Sequence, residues 1–381
     1  MNNTYFVYED SSQNFYGGGQ RISKIIIEEI LKSNKKVILF DTNLKSKFIN
    51  DLKKLKNRNL KFQKIIHLNF SLNKKNSYTL LYFITKIINL LFFFIPNFLI
   101  LNFQAIRETY FKNNIIFLSN TTFNIIYKFF IITKIYKSIF YAHQYIGNHL
   151  FIKTLIEKIL SFYDEIICVS KFISKNYQNI PENNKIILNT PQKLSFVKNK
   201  DFKNEFNVFS ISNLIEWKGI DKLLESYSLL KNKKKLNVKY HIFGTGSEIH
   251  KYKKKYKNKN IYIYGYKSDN FIKNFLIQKA NLAIVPSLKE EACPHLPILA
   301  FSYAIPTIVT NIGGQSDLIK NNYDGFKIKA NSSISISEKI DYLLQNRDKY
   351  LKMSKNAKKS SYNYSIEKYL KKISKSLLLS H

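Results

Sequence analysis

A chain of 381 residues, 45% of them hydrophobic, is long enough for two domains with full cores and too apolar for a disordered protein. Two cysteines, Cys168 and Cys293, supply neither a disulfide framework nor a CxxC metal site, and no secretory leader is read at the start, so a cytosolic protein is expected. The net charge of +35, from 61 basic and 26 acidic residues, fits an anionic partner, nucleic acid or a membrane surface; a Lys-, Asn- and Ile-rich composition imposed by A/T-rich codons explains it as well.

The chain opens with a predicted strand over 5–8 and a polar loop leading to Gly17-Gly18-Gly19-Gln20-Arg21. A helix is predicted over 22–31, with Ile25, Ile26, Ile30 and Leu31 spaced to face a sheet, then a strand over 37–40. This is a β-α-β unit with a glycine turn at the end of its first strand. The glycines read either as a flexible loop or as a turn that brings backbone N–H groups close to a ligand without Cβ clashes.

The run 78–103 is the most hydrophobic stretch, apolar on nearly every face up to Pro96, which is expected to break it. Its length approaches the ~18 to 20 residues of a spanning helix. Lys86 and Asn89 interrupt it, however, and a span would place strands of one sheet on opposite sides of a bilayer. The reading is a core helix plus an exposed apolar ledge, with contact to a membrane interface as the further option.

Strands follow over 115–118, 138–141 and 166–169, each leading to a helix. His143, with Gln144 beside it, lies just past the second; a lone histidine there is either a structural hydrogen-bonder or a catalytic group. Cys168 reads as a small buried apolar residue. After Asn189-Thr190-Pro191 the charged stretch 193–206 reads as a linker, which divides the chain into a first domain over 1–192, a second over 207–360 and a terminal helix over 361–381.

The second domain opens with a strand over 208–211. Lys218 lies just before a helix over 220–230, so its ammonium and the helix N-terminus can face one anion; the alternative is one more exposed lysine in a lysine-rich chain. Strands over 240–243 and 261–264 lead to the turns Gly244-Thr245-Gly246 and Gly265-Tyr266. A strand over 282–285 ends at Pro286-Ser287, and the loop 288–294 that follows carries the paired carboxylates Glu290 and Glu291 before a helix over 296–303. A Pro306-led strand closes on Gly313-Gly314, followed by a helix over 315–319, a strand over 325–328 and a helical tail from 333. In open α/β sheets ligands lie outside the carboxyl ends of strands, which makes these loops the candidate sites.

The stretch 281–314, with Pro286-Ser287, Glu291, Pro306 and Gly313-Gly314, resembles the donor-sugar loop of the family 4 retaining glycosyltransferases of the GT-B fold. The resemblance implies an α/β protein of two Rossmann-like domains facing a central cleft: an N-terminal acceptor-binding domain, a C-terminal nucleotide-sugar-binding domain and a last helix crossing back to the first. It places Glu291 near the transferred sugar and Lys218 on the donor diphosphate. His143 and the Gly18-Gly19 loop fall on the acceptor side, and Gly244 and Gly246 under the nucleotide. Cys293, Pro294, His295 and Leu296 would offer backbone groups to the donor at a helix start. Two positions depart from the family pattern. Asn213 stands where a diphosphate-binding arginine is usual, and Leu299 where a second glutamate holds the ribose.

The expected function is a retaining, metal-independent glycosyltransferase that moves a sugar from a nucleoside-diphosphate donor to a hydroxyl of a glycan or lipid-linked glycan, as in bacterial surface polysaccharide or lipopolysaccharide biosynthesis. No Asp-x-Asp motif is present to hold a bridging metal, so no metal and no cofactor is expected. A cytoplasmic enzyme in peripheral contact with an anionic membrane fits this reading, and nucleic acid does not. The alternatives are a sugar-nucleotide epimerase or hydrolase of the same fold, and a weakened homologue that binds glycans or membranes without transferring sugar.

Overall fold

The structure is a computed structural model that describes residues 3–9, 18–65, 94–119, 128–129, 131–143, 150–181, 185–187, 189–195, 200–231 and 237–379. The chain divides into two compact units, residues 1–188 with 370–381, and residues 189–369. Gln144 and Gly17, and residues 78–93 of the hydrophobic run, lie outside the described residues.

In the first unit the strands are β1 (Asn3–Tyr8), β2 (Lys36–Asp41), β3 (Leu60–Lys64), β4 (Asn114–Ser119), β5 (Ile135–Ala142), β6 (Glu165–Cys168) and β7 (Lys185–Ile187). They form one parallel sheet in the order β3-β2-β1-β4-β5-β6-β7. The inner strands are apolar on both faces because helices cover both, as parallel sheets require. The flanking helices are α1 (Gly18–Lys32), α2 (Lys47–Lys53), α3 (Phe94–Tyr110), α4 (Leu150–Leu160) and α5 (Lys171–Asn176). The sequence pattern does not show the edge strands β3 and β7 or the short α2. The two strands are brief and only partly buried, so neither carries a long apolar run. α2 is marked by a Ser46 cap that accepts the Ile49 N–H.

Two expectations change here. Pro96 lies inside α3, and the helix continues past it to Tyr110. The glycine run is also not a loop throughout, because Gly18 and Gly19 belong to α1.

The second unit repeats the plan. Its strands are β8 (Glu205–Ile211), β9 (Asn237–Phe243), β10 (Ile261–Gly265), β11 (Ala280–Val285), β12 (Thr307–Thr310) and β13 (Gly325–Ile328), in the order β10-β9-β8-β11-β12-β13, all parallel. Its helices are α6 (Ile220–Leu229), α7 (Ile249–Lys255), α8 (Asp269–Gln278), α9 (His295–Ser302), α10 (Gly313–Leu318), α11 (Ser333–Gln345) and α12 (Arg347–Ser361). Period-two alternation sends Leu282 and Ile284 to one face, with Leu223 and Ile340, and Ala283 and Val285 to the other, with Phe275 and Phe301. Residues 200–206 of the stretch read as a linker join this core: Phe202 and Phe206 are buried against Tyr350, and the buried Lys200 ammonium donates to the last carbonyls of α8, Leu276 O and Ile277 O, at 2.5 and 2.6 Å. The last helix, α13 (Ile366–Ser376), ends in the first unit, where Tyr5 donates to Leu377 O at 2.7 Å and Lys137 to Ser376 O at 2.7 Å.

Candidate active site

Ligands of a doubly wound sheet lie at the carboxyl edge where the strand order reverses, because the two neighbouring loops there leave in opposite directions. In the second unit that point falls between β8 and β11. The loop after β8 carries Lys218, and the loop after β11 carries Glu291. Residues 73 apart in the chain meet here: Lys218 Nζ lies 2.5 Å from Glu291 Oε2. The other carboxylate oxygen of Glu291 accepts from Ser287 Oγ. The ammonium also sits 4.3 Å from the centroid of the Trp217 ring. The two charged side chains are only 15% and 12% exposed, so the pair is largely out of water, where charge-assisted contacts are strong.

Backbone geometry fixes this pair. Glu216–Lys218 form a single 3-10 turn closed by Gly219 in the left-handed region, at φ 64°. A Cβ on Gly219 would stand 2.1 Å from Pro286 O, so only glycine lets the two loops meet. The Leu288 N–H donates to Trp217 O at 2.8 Å across the same seam. On the far side, the Gly314 N–H donates to Glu291 O at 2.7 Å, and the Glu291 N–H to Gln315 Oε1 at 2.9 Å. Gln315 is fully buried; its amide also reaches Lys289 O and Thr310 Oγ1, while Thr310 Oγ1 donates to Ser287 O at 2.8 Å. Sequence reasoning misses Ser287, Thr310 and Gln315 as site residues. Their only signal there is position, next to Pro286, at a strand end and after Gly313-Gly314.

The remaining donor-side candidates gather on the same edge. Asn213 is exposed, and its carbonyl accepts the Ile215 N–H at 3.0 Å. Gly244, at φ 129°, and Gly246 have a structural reason of their own: a Cβ would fall 1.8 Å from Ser212 O and 2.2 Å from Leu214 O respectively. α9 starts after Pro294, and no side chain caps it. Its core-facing residues include Leu296 and Ile298, whereas His295 and Leu299, one turn apart, are the two that keep exposure. Leu299 is half-buried and packs against the core that holds Phe275 and Phe301. Cys293 turns inward, with Thr190 Oγ1 at 3.8 Å and Asn189 Nδ2 at 3.9 Å from its sulfur, and burial pushes its thiol pKa up. Glu290, the other member of the carboxylate pair, is exposed.

The first unit brings His143 and Gly19 together. The imidazole lies 3.8 to 3.9 Å from where a Cβ on Gly19 would stand, and stacks on Tyr141 with ring centroids 4.4 Å apart. The residue as a whole is partly exposed, but Nε2 is shielded and has no hydrogen-bond partner among the described residues. Burial lowers its pKa to about 3, so the ring is neutral at physiological pH. A neutral imidazole with an uncommitted nitrogen can exchange a hydrogen bond with a hydroxyl.

Two Rossmann-like units, each with a parallel sheet and loops converging at its carboxyl edge, define the GT-B class, and the solved structures that resemble the chain are GT-B glycosyltransferases. Among them, Anabaena HepE in complex with UDP superposes with a TM-score of 0.71 at 13% identity, over 98% of this chain and 99% of that one. Residues 191–360 match the family model described as glycosyl transferases group 1, so the second unit carries a group 1 glycosyltransferase domain. An uncharacterized glycosyltransferase of Methanocaldococcus jannaschii is 25% identical over 208 residues, 54% of this chain and 56% of that one. The N,N'-diacetylbacillosaminyl-diphospho-undecaprenol alpha-1,3-N-acetylgalactosaminyltransferase of Campylobacter jejuni is 27% identical over 252 residues, 64% of this chain and 63% of that one. The chain thus matches less than two thirds of the length of these curated relatives.

Proposed function

We propose that the protein is a retaining, metal-independent glycosyltransferase of family 4 that moves a sugar from a nucleoside-diphosphate donor to a hydroxyl of a glycan or lipid-linked glycan. The observation that carries the proposal is the Lys218–Glu291 pair, held by loops from both sides of the strand-order reversal. In this reading Lys218 meets the diphosphate as negative charge builds on it, and Glu291 accepts hydrogen bonds from the sugar hydroxyls. The uncapped start of α9, from Pro294 to Leu296, adds backbone N–H groups and the helix dipole, while Asn213 makes a neutral contact. On the first unit, Gly19 and His143 serve the acceptor side. The sugar–phosphate C–O bond breaks as the bond to the acceptor oxygen forms on the same face, and the departing phosphate oxygen takes the acceptor proton. No protein base is needed for that step.

The Campylobacter relative acts on an undecaprenol-linked sugar, and HepE was solved with UDP. These support a UDP-sugar donor, a lipid-linked acceptor of surface polysaccharide or lipopolysaccharide assembly, and work at the cytoplasmic face of a membrane. Among the described residues no helix is long and apolar enough to cross one. The test is a panel of UDP-, GDP- and ADP-sugars scored by calorimetry, followed by transfer to membrane lipid extract with and without EDTA. Transfer that survives EDTA and retains the anomeric configuration is expected; release of free sugar or an epimer with no acceptor product would replace the proposal with a hydrolase or epimerase. A second reading, a weakened homologue, is favoured by Asn213 and Leu299, and binding without transfer across the panel would select it.

A further inference from the structure

α3 presents an apolar face that the described residues of its unit do not bury. Leu99, Phe103, Ile106 and Tyr110 follow a 4, 3, 4 spacing along one side of the helix and are 56 to 82% exposed. On the opposite side Leu101 and Ala105 are buried, so the helix is anchored by one apolar face and shows a second to solvent. Ile132, 71% exposed, lies against it, its N–H donating to Asn102 Oδ1 at 2.8 Å. Phe111 continues the surface past the end of the helix. A contiguous patch of this kind marks an interaction site.

The charges around the patch have one sign. Residues 94–112 and 131–137 contain Arg107, Lys112, Lys134 and Lys137, and a single acidic residue, Glu108. Glu108 is fully buried, with Lys36, Arg107, Thr4 and Asn113 bound to its carboxylate, and Lys137 is paired with Glu165, so among the described residues Lys112 and Lys134 carry the unpaired charge of the rim. Lys112 and Lys134 are exposed. Lys61 lies close enough to Arg107 and Lys36 for their charges to add to the burial that lowers its own pKa. The rim of the apolar face is therefore cationic with no exposed carboxylate in these segments.

We propose that this face of α3 is the membrane-docking surface of the protein, seating Leu99, Phe103, Ile106 and Tyr110 in the interface of an anionic bilayer with Arg107, Lys112 and Lys134 at the headgroups. It gives a location to the membrane contact named above, and it stands on this surface rather than on the chemistry of the second unit. An apolar stripe that enters the acyl boundary beside basic residues that meet anionic lipid is the pattern of an interfacial helix. A second copy of the chain is a poorer occupant, because a self-complementary contact would bring the exposed Lys112 and Lys134 of both copies together.

Flotation of the full-length protein with vesicles tests the proposal without any sugar substrate, so a failed donor assay leaves it standing and a failed flotation leaves the transferase reading standing. Wild type is expected to float with phosphatidylglycerol/phosphatidylethanolamine vesicles and not with phosphatidylcholine alone. Phe103→Ser/Ile106→Ser should partition about tenfold or more weakly, since two interfacial side chains are lost, with an unchanged thermal midpoint because both are exposed. Lys112→Glu/Lys134→Glu should weaken binding and flatten its salt dependence, and Ile334→Ser/Tyr342→Ser, exposed on the second unit, should bind like wild type. A Phe103→Cys variant should react with a maleimide in solution and be protected on anionic vesicles. The proposal is overturned if wild type does not float, if the Phe103→Ser/Ile106→Ser variant floats as well as wild type, or if the thiol introduced by Phe103→Cys is already protected in solution. The last result would mean that the chain itself or a second copy covers the face.

Discussion

At Lys218 the site holds a charge balance that a donor must disturb. The ammonium is already neutralised by Glu291, so a nucleoside diphosphate competes with that carboxylate for it. Lys218→Ala should weaken diphosphate binding by about 1.5 to 3 kcal/mol and abolish transfer. Glu291→Gln should do something different: transfer is lost, while the free nucleoside diphosphate binds as well as before or more tightly, because the competitor is gone. Calorimetry with UDP on both variants reads the two signs, and equal weakening in both would show that Glu291 does not compete. Leu299, half-buried on α9, offers no acceptor to a ribose. Leu299→Glu is expected to tighten ribonucleotide over 2′-deoxyribonucleotide binding by about 1 to 3 kcal/mol, whereas wild type discriminates poorly between them. A wild-type preference of about a hundredfold would mean that another residue reads the ribose.

Among the elements, the glycine turns of the second unit are better explained by loop–loop approach than by ligand access alone. Gly219 and Gly265 are both left-handed, at φ 64° and 77°, but they differ in what lies beside them. A Cβ on Gly265 would meet only Ile249 Cδ1 at an ordinary 3.8 Å, whereas one on Gly219 would meet a backbone oxygen at 2.1 Å. Gly265→Ala should therefore cost about 1 to 2 kcal/mol, the left-handed penalty alone. Gly219→Ala should cost more and also displace Lys218. Urea denaturation gives the first difference and diphosphate binding the second. Equal losses at both positions would show that the seam between 219 and 286 can open freely.

For the whole molecule, two imidazoles of lowered pKa contribute to the response to acid, one in each unit, His241 buried and His143 partly exposed with its Nε2 shielded. His241 on β9 stacks on Tyr262 and Tyr264, bonds Asn207 Oδ1 through Nε2 at 2.7 Å and Tyr264 OH through Nδ1 at 3.0 Å, and burial lowers its pKa to about 4. The Asn207 amide nitrogen is already donating to Glu205 and Lys279 O, so its oxygen faces the ring, Nε2 carries the proton, and Nδ1 accepts from the tyrosine. The unfolded chain protonates each histidine near its ordinary value of about 6.5, and the folded units do not until about pH 4 for His241 and about pH 3 for His143. Between those values the unfolded state binds more protons, so each histidine's contribution to stability is full above about pH 6.5 and falls by about 1.4 kcal/mol per pH unit as the pH drops. Thermal midpoints measured from pH 7 to pH 4.5 should decline accordingly, and His241→Gln should flatten the slope of the second unit; a parallel decline in that variant would assign the loss to other groups.

Taken by itself, the sequence determined what depends on local pattern. The apolar runs of 115–118, 208–211 and 282–285, the alternation of strands with helices, and the glycines and cations at strand ends are all properties of neighbouring residues; they mark the loops after these strands, and the family resemblance picks Lys218, Glu291 and His143 within them. Tertiary structure alone decided what depends on residues far apart in the chain. Nothing near Lys218 reveals that its partner lies 73 residues away, or that a buried Gln315 holds the Glu291 loop from beyond the next strand. The charged composition of 193–206 looks like a linker because Phe202, Phe206 and Lys200 find their packing only against Tyr350 and α8. The hydrophobic run up to Phe103 could not say which of its faces is buried, since a helix apolar all round has no preferred side until a sheet takes one of them. In this fold the sheet takes Leu101 and Ala105, and the face with Leu99, Phe103 and Ile106 is left to solvent.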